Sequence, residues 1–431
     1  MISLTPVSSV KLKDPLTKTA AYPEQDEMLL LEFLRERVFR EKFDIDVERE
    51  PFVHFRVPLI GELGLTSFDP FFWNQLTLLI ILQSAVNLFC AALVYRFIVA
   101  RPGTATAFSV GYGFICPVMI CLPFYSVEAL DLRNATLMLA TAAGPSMLLF
   151  RTLEAMYDTI PAYATASFGS YVLYFCSTVQ FDFDPKTQKV RHVTWSSLIR
   201  RARVFLWLFV QTAVMSSILI PINFQVFNVE RTAWIDLFHW KSLANNYVMA
   251  FHTSISLEVG SAGIALGISS LTGIETMDLN VSPLTTSTSP SDFWGNRWNR
   301  VVSSALKRAI FIPMRKQGFS RPVAAMATFA ASGLLHEYLI VVMMQNRHSE
   351  YASLAFSQLA FFLWNGVVLG IEHLLRGNKY LEHVANRLPV PLRSFLVVLT
   401  VLPLAHLFTQ IFVENGFYTA FARGFPKIVK I

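Results

Sequence analysis

The sequence predicts an all-α polytopic integral membrane protein, and three observations support this fold class. Of the 431 residues, 53% are hydrophobic and only 15% are charged, whereas soluble domains carry about a quarter charged residues. Uncharged apolar runs recur along the chain, close to the roughly 20 residues that a helix needs to cross the hydrocarbon layer. The net charge of +6 is modest and suits cationic loops that orient membrane helices. The composition therefore gives no case for nucleic-acid binding.

The N-terminal residues 1–70 are expected to form a cytosolic tail, and residues 71–431 a multi-span membrane domain. The first 20 residues are polar and lack the apolar core of a signal peptide. Between about 25 and 43, apolar and charged positions alternate at helical spacing, which predicts an amphipathic helix. This helix either lies along the membrane surface or packs on the membrane domain from the cytosol. Residues 52–70 are expected to form a loop.

The membrane domain is expected to contain about nine transmembrane helices. The fourth apolar run is only moderately apolar, so it either packs inside the protein or lies at the membrane interface. An Asp-Pro turn signal within 181–195 predicts a small hairpin or loop. No internal repeat is visible, which counts against an inverted-repeat transporter. The nine runs are Leu76–Tyr95, Pro102–Val127, Ala135–Phe150, Thr159–Gln180, Val204–Val229, Ser242–Ile274, Val323–Met344, Tyr351–Ile371 and Ser394–Val413.

Neither the cysteines nor the glycosylation triplets point to a functional site. The four cysteines lie in apolar runs without metal-ligand spacing, so they are expected to pack as small hydrophobes, and no metal is expected. Asn134 and Asn280 each begin an Asn-x-Ser/Thr triplet. Glycosylation at Asn280 would place its loop in the lumen, in conflict with the basic residues just downstream. We therefore base the orientation on charge.

The most informative stretch of the chain runs from Ser291 to Tyr338. It opens with a segment dense in aromatic, amide and guanidinium groups, residues 291–300. Its aromatic residues either anchor the chain at headgroup level or surround an asparagine amide that binds a developing oxyanion. The seven basic residues between Asp292 and Glu337 either enforce the positive-inside rule or hold the phosphates of a cytosolic substrate. Those basic residues are Arg297, Arg300, Lys307, Arg308, Arg315, Lys316 and Arg321.

The same stretch closes on a histidine at membrane depth. His336 has Glu337 beside it and Ser332 one turn earlier on the same helix face. An ionisable side chain inside a transmembrane segment is costly and suggests function, and a neutral imidazole can accept a proton near physiological pH. The alternative is a histidine that only bonds a neighbouring helix. Three other intramembrane histidines lack an associated motif: His252, His373 and His406. The intramembrane glutamates Glu258 and Glu372 are expected to be paired structural charges or cavity liners.

The two ends of this stretch resemble one superfamily. The run Phe293-Trp294-Gly295-Asn296-Arg297-Trp298-Asn299 is similar to the motif of the membrane-bound O-acyltransferases in which an aromatic pair leads to Trp-Asn. With Ser332-Gly333-Leu334-Leu335-His336-Glu337, it is similar to the plant-type wax synthase branch. The segment His336-Glu337-Tyr338-Leu339 also resembles the diacylglycerol and sterol acyltransferases. Asn296 departs from the residues usual at that position, which leaves acceptor preference open.

The resemblance implies a membrane-bound O-acyltransferase-like fold with an internal reaction chamber. In that fold His336 would be the catalytic base and Asn299 its partner, while Trp298 would shape the chamber and Glu337 would support the histidine. The expected reaction esterifies a long-chain alcohol with acyl-CoA, a co-substrate, without a cofactor or metal. The alternatives are a diacylglycerol or sterol acyltransferase, and more distantly a transporter with a proton-relay histidine. The residues expected to bind substrate are Phe293, Trp294, Arg297, Trp298, Arg300, Ser332 and Glu337.

The expected partners are acyl-CoA, a lipid-soluble alcohol and membrane lipid. The endoplasmic reticulum membrane is the expected location, because many spans without a cleavable signal are typical of it. Whether the protein forms a homo-oligomer stays open at this point.

Overall fold

The computed structural model describes Glu32 and residues 50–431, except 59, 185–186, 188, 230–233 and 346–354. Apart from Glu32, the predicted amphipathic helix at about 25–43 lies outside the described residues. The polar tail before it does too.

Eight helices in the described part of the chain are long and apolar enough to cross a membrane, which confirms an all-α polytopic membrane protein. In chain order the helices are α1 Pro70–Val99, α2 Ala105–Ala129, α3 Ala135–Met156, α4 Phe168–Cys176, α5 Trp195–Ile222, α6 Trp240–Thr272, α7 residues 290–297, α8 residues 300–316, α9 Arg321–Met343, α10 Ser357–Leu375, α11 Lys379–Arg387, α12 Val390–Glu414 and α13 Phe417–Ala422. The eight membrane-spanning candidates among them are α1, α2, α3, α5, α6, α9, α10 and α12. Single helical turns lie at Ala162–Thr165, Trp234–Phe238 and Pro283–Thr286.

The difference from about nine spans comes from the run at 159–180. Pro161 is extended before the turn Ala162–Thr165, and Ser167 is extended before α4. The Ser167 hydroxyl accepts the Ser170 amide and so begins a new helix there. Helix α4 has nine residues, and at about 1.5 Å per residue it is too short to cross the bilayer. Of the two alternatives, packing inside the protein fits, because Tyr171 and Phe175 are fully buried.

A small antiparallel sheet replaces the loop expected at 52–70. Strands β1 (Val53–Val57) and β2 (Gly61–Thr66) form a hairpin, and β3 (Lys427–Lys430) pairs with the other edge of β2. Gly61 takes a φ of +110° where the chain turns, a conformation that glycine adopts without steric cost. The sheet therefore ties the segment before α1 to the end of the chain.

Helix α3 lies inside the helical assembly. Two-thirds of its most apolar window is buried (67%), although that window has a mean hydropathy of only 1.2. The polar side chains that this requires are satisfied within the helix, because Ser146 and Thr152 donate to the carbonyls of residues 142 and 148. Helix α3 packs on α1, α2 and α9.

The region after α4 contains the predicted hairpin. Phe183 pairs with Val190 across the turn, and the Asp184 amide donates to Lys189 at 3.0 Å. On its far side the hairpin pairs with the segment that follows α6. This contact brings the end of α6 close to the start of α5, where Arg201 meets Glu275 at 2.5 Å.

Candidate active site

Helix α9 holds His336 with one defined ring nitrogen. The His336 Nδ1 lies 2.8 Å from the carbonyl oxygen of Ser332, one turn earlier. Because a carbonyl oxygen only accepts, Nδ1 carries the hydrogen and Nε2 keeps its lone pair. Ser332 therefore acts on the histidine through its main chain, and Nε2 is the nitrogen that can take a proton.

Two phenylalanines from other helices surround the His336 ring. Phe362 of α10 lies 4.6 Å from it and Phe408 of α12 lies 5.3 Å from it, between ring centroids. His336 nevertheless keeps accessible surface, whereas its chain neighbours Leu335 and Glu337 are buried. His336 thus lies in a mainly apolar setting and keeps part of its surface accessible.

Glu337 points to a neighbouring helix. Its Oε1 accepts the amides of Gln358 at 2.8 Å and Leu359 at 3.1 Å, which are among the unpaired donors at the start of α10. A carboxylate there is favoured by the helix dipole. Close packing supports the joint, since a Cβ on Gly333 would lie 2.8 Å from the Leu359 Cα. Glu337 therefore joins α9 to α10.

The aromatic motif docks on the middle of α10. Phe293 is buried and stacks on Trp298 with centroids 5.6 Å apart. The Trp294 indole donates to the Asn365 Oδ1 at 3.1 Å, and its ring lies 5.9 Å from Phe362. Residues Phe293–Arg297 form a π-helical turn, a distortion often found at functional sites.

The motif is also fixed near the end of α10. The amide and hydroxyl of Ser291 donate to the Glu372 carboxylate at 2.7 and 2.6 Å. Glu372 also pairs with Arg376 at 3.1 Å, in agreement with the structural role expected for it. Helix α10 therefore contacts both motifs: its first amides bond Glu337 of α9, and its Asn365 and Glu372 bond Trp294 and Ser291.

The side-chain oxygen of Asn299 caps a helix, whereas its side-chain nitrogen Nδ2 has no acceptor among the described residues. Its φ is +38°, a left-handed conformation, and its Oδ1 accepts the Val302 amide at 3.2 Å as the N-cap of α8. Its main-chain N–H donates to the Asn280 Oδ1 at 2.7 Å. Within the described residues no group accepts from the Asn299 Nδ2, so this donor can bind a substrate oxygen.

Ring contacts connect the two motifs. Trp298 lies 6.3 Å from Trp294, Trp294 lies 5.9 Å from Phe362, and Phe362 lies 4.6 Å from His336. The fold thus brings the histidine and the aromatic motif into one cluster. In the described structure no hydrogen bond joins His336 to Asn299, which directly follows Trp298.

The Arg297 side chain bonds residues close to it in sequence. It pairs with Asp292 at 2.6 Å and donates to the Thr286 hydroxyl at 2.5 Å. Partial burial pushes the pKa of the Asp292 carboxyl upward, but hydrogen bonds from Arg297, Thr288 and Asn296 outweigh it and lower that pKa below its ordinary value. Arg297 therefore stabilises the loop before the motif.

The other basic residues divide into engaged and free side chains. Arg308 pairs with the fully buried Glu154 at 3.2 Å, and although burial opposes its charge, Glu154 outweighs this and raises the pKa of the guanidinium. Arg315 and Lys316 donate to main-chain carbonyls. Among the described residues, no hydrogen bond or ion pair holds the side chains of three members of the group: Arg300, Lys307 and Arg321.

Several site residues escaped the sequence prediction. Asn365 carries a readable signal, because an amide inside an apolar run needs a partner. Asn280 is buried, and in the sequence only its glycosylation triplet marks it. Phe362 and Phe408 carry no signal, since phenylalanine is equally common on lipid-facing surfaces.

Two other intramembrane histidines, His252 and His373, do not contribute to this cluster. His252 is fully buried between Phe224 and Tyr418, and His373 is exposed near the end of α10. The described residues contain no group of three or more His, Cys, Asp and Glu side chains that could hold a metal ion.

Comparison with known proteins bears on this same region. Residues 279–364, which contain both motifs, match the membrane bound O-acyl transferase family. The chain is 33% identical over 102 residues to a probable long-chain-alcohol O-fatty-acyltransferase 9 of Arabidopsis thaliana, covering 22% of this chain and 28% of that protein. It is 28% identical over 129 residues to an acyl-CoA–sterol O-acyltransferase 1 of the same plant, covering 28% and 35%.

A longer match is weaker in identity. A probable long-chain-alcohol O-fatty-acyltransferase 6 of Arabidopsis thaliana is 21% identical over 271 residues, covering 61% of this chain and 68% of that protein. The first two matches span only about a third of the relatives' length. The matched residues include the histidine, the asparagine and the start of helix α10, and in this region the chain is similar to the membrane bound O-acyl transferase family and to relatives named as long-chain-alcohol O-fatty-acyltransferases.

Proposed function

We propose that this protein is an acyl-CoA-dependent O-acyltransferase that esterifies a long-chain fatty alcohol to a wax ester. The observation that carries the proposal is the state of His336. Its Nδ1–H is held by the Ser332 carbonyl, so its Nε2 lone pair remains available in a mainly apolar, accessible setting. Relatives named as long-chain-alcohol O-fatty-acyltransferases support the substrate class.

In the first step, His336 Nε2 takes the proton of the alcohol hydroxyl while that oxygen attacks the thioester carbonyl carbon. The resulting imidazolium keeps its Nδ1–H bond to Ser332, so the ring need not rotate during proton transfer. General-base catalysis of this kind typically contributes about 10²–10⁴-fold.

In the second step, the negative charge on the thioester oxygen needs a donor. The Asn299 Nδ2 has no acceptor among the described residues and can supply one hydrogen bond to that oxygen. The carbon–sulfur bond then breaks, and the CoA thiolate takes the proton from His336. Free CoA and the ester are the products, and the histidine returns to its neutral form.

The phosphates of acyl-CoA require cations that no acidic residue already binds. Arg300 is partly buried at the start of α8, directly after Asn299, and Lys307 and Arg321 are exposed further along. We assign acyl-CoA binding to these three residues, because Arg297 and Arg308 are paired with carboxylates.

The test is expression in yeast that lacks neutral-lipid synthesis, fed separately with fatty alcohol, diacylglycerol and sterol, followed by lipid analysis. Wax ester should accumulate with fatty alcohol and be lost with His336→Ala and His336→Gln. Asn299→Ala should lower ester formation with every acceptor used. Near-normal turnover in both histidine variants, at equal protein level, would refute the base assignment.

A sterol is the second candidate acceptor, because one relative is named as an acyl-CoA–sterol O-acyltransferase. Steryl ester without wax ester in the same yeast would select it, and diacylglycerol would be selected by triacylglycerol. For location we propose the endoplasmic reticulum membrane. A fluorescent fusion that separates from an endoplasmic reticulum marker would refute this location.

A further inference from the structure

A polar network at membrane depth reaches Asn299 from helix α6. The Glu258 Oε1 accepts the Ser254 hydroxyl at 2.8 Å and the Asn280 amide nitrogen at 3.0 Å. The same Asn280 nitrogen donates to the Ser254 oxygen at 3.0 Å. Asn280 then accepts the Asn299 main-chain N–H at 2.7 Å.

The network determines how the Asn280 amide is oriented. Both neighbours on the α6 side offer oxygen acceptors, and only the NH₂ end of an amide can donate to two of them. The Oδ1 end must then face Asn299, where it meets an N–H donor. Asn280 is 8% exposed, so reversing the amide would leave enclosed donors and acceptors unpaired.

Helix α6 is placed to hold this network. Leu243, Tyr247 and Ala250 pack with the aromatic cluster that contains Trp294 and Trp298. Residues three and four apart lie on one helix face, so the next positions on that face are 254 and 258. The polar end of the face therefore meets Asn280 just beyond the aromatic motif.

The backbone of Asn299 is left-handed and is held by its neighbours. Its φ is +38°, a conformation that few residues other than glycine adopt and that asparagine tolerates better than most. The main chain on each side of Asn299 is bonded to the segment around Asn280, since the Arg300 amide donates to the Leu279 carbonyl and the Val281 amide to the Arg297 carbonyl. Glu258 fixes Asn280, and Asn280 fixes the conformation from which the Asn299 side chain projects.

We propose that Glu258 and Asn280 are positioning residues for catalysis, which hold the Asn299 amide toward the reacting carbonyl. This inference rests on the proposed acyltransferase function. It also explains a glutamate in a transmembrane helix, where an ionisable side chain is costly without a role.

A disruptive substitution at Asn280, followed by a compensating one at Glu258, tests the proposal. Asn280→Asp places a second carboxylate against Glu258, and the repulsion displaces the segment that holds Asn299. Displacements of about 1 Å at a reacting group can cost on the order of 100-fold, so we expect the kcat to fall roughly 10- to 100-fold with the KM for acyl-CoA little changed. Adding Glu258→Gln to that variant restores a donor opposite the introduced carboxylate and should recover most of the kcat.

Melting temperatures of the purified variants separate positioning from general stability. Glu414→Gln is the matched control, since Glu414 is exposed and bonds only Gln410 among the described residues. Unchanged kcat in Asn280→Asp, or a loss that Glu258→Gln does not recover in a protein of normal melting temperature, would overturn the proposal. Wild-type protein that forms no ester would instead refute the proposed function.

Discussion

Replacing Glu337 distinguishes a helix cap from a catalytic partner of the histidine. Its Oε1 accepts two amides at the start of α10, at 2.8 and 3.1 Å. Glu337→Ala leaves both amides without an acceptor, at about 1–3 kcal/mol each, so roughly 2–6 kcal/mol in total. Glu337→Gln keeps an oxygen in place and loses the charge at the helix N-terminus, about 0.3–2 kcal/mol.

The assay is thermal unfolding of purified protein in detergent, followed by intrinsic tryptophan fluorescence. The melting temperature should fall in the order wild type, Glu337→Gln, Glu337→Ala. Ester formation is then measured well below all three transitions and divided by the amount of folded protein. Glu337→Gln should retain most of the wild-type rate, because the contacts of His336 with Phe362 and Phe408 do not depend on the charge.

The opposite pattern would refute this reasoning. A glutamine variant that melts like the wild type and has lost 100-fold or more of its rate would mean that the carboxylate acts on His336. An alanine variant with an unchanged melting temperature would mean that the cap contributes nothing.

Three further predictions follow from the same contacts. Arg297→Gln should lower the melting temperature, because Asp292 loses its ion-pair partner. Arg300→Gln should leave the melting temperature unchanged and raise the KM for acyl-CoA about tenfold. An unchanged KM in Arg300→Gln would mean that Arg300 only helps to orient the protein in the membrane. Gly333→Ala should destabilise by about 1–3 kcal/mol through the clash with α10, and a normal melting temperature would contradict the close packing. Asn365→Leu removes the acceptor of the motif's indole and should lower both stability and ester formation, which melting and initial-rate measurements check.

The sequence predicted the spans well where apolar runs were long. All eight helices overlap a predicted apolar run, and the helix at Ala135–Met156 extends six residues past the end of its run, as burial of Arg151 would allow, because Arg151 and Glu154 are buried in the protein. Buried charges break an apolar run in the sequence without breaking the helix. The sheet escaped prediction because β2 and β3 are 361 residues apart at their paired ends, Thr66 and Lys427.

The candidate site was predictable in its residue types and less so in their contacts. His336 and Asn299 stand out by chemistry and by resemblance. Within the described residues Arg297 is paired and Arg300 is not, because the loop geometry brings Asp292 and Thr286 against the Arg297 guanidinium. Spacing along the chain does not contain that information.

Helix α10 carries one pattern that explains why a span without a catalytic residue determines the site. Gln358, Asn365 and Glu372 recur every seven residues, and two helical turns place such positions on one stripe. Gln358 donates to the Leu407 and Phe408 carbonyls at 2.9 and 3.0 Å, Asn365 accepts from the aromatic motif, and Glu372 holds the residue that precedes it. A polar stripe on a membrane helix must face protein, because lipid offers no partner. The stripe therefore holds Phe408, which lies beside His336, at one end and the aromatic motif at the other, so three polar residues on one helix connect the surroundings of the histidine to the motif.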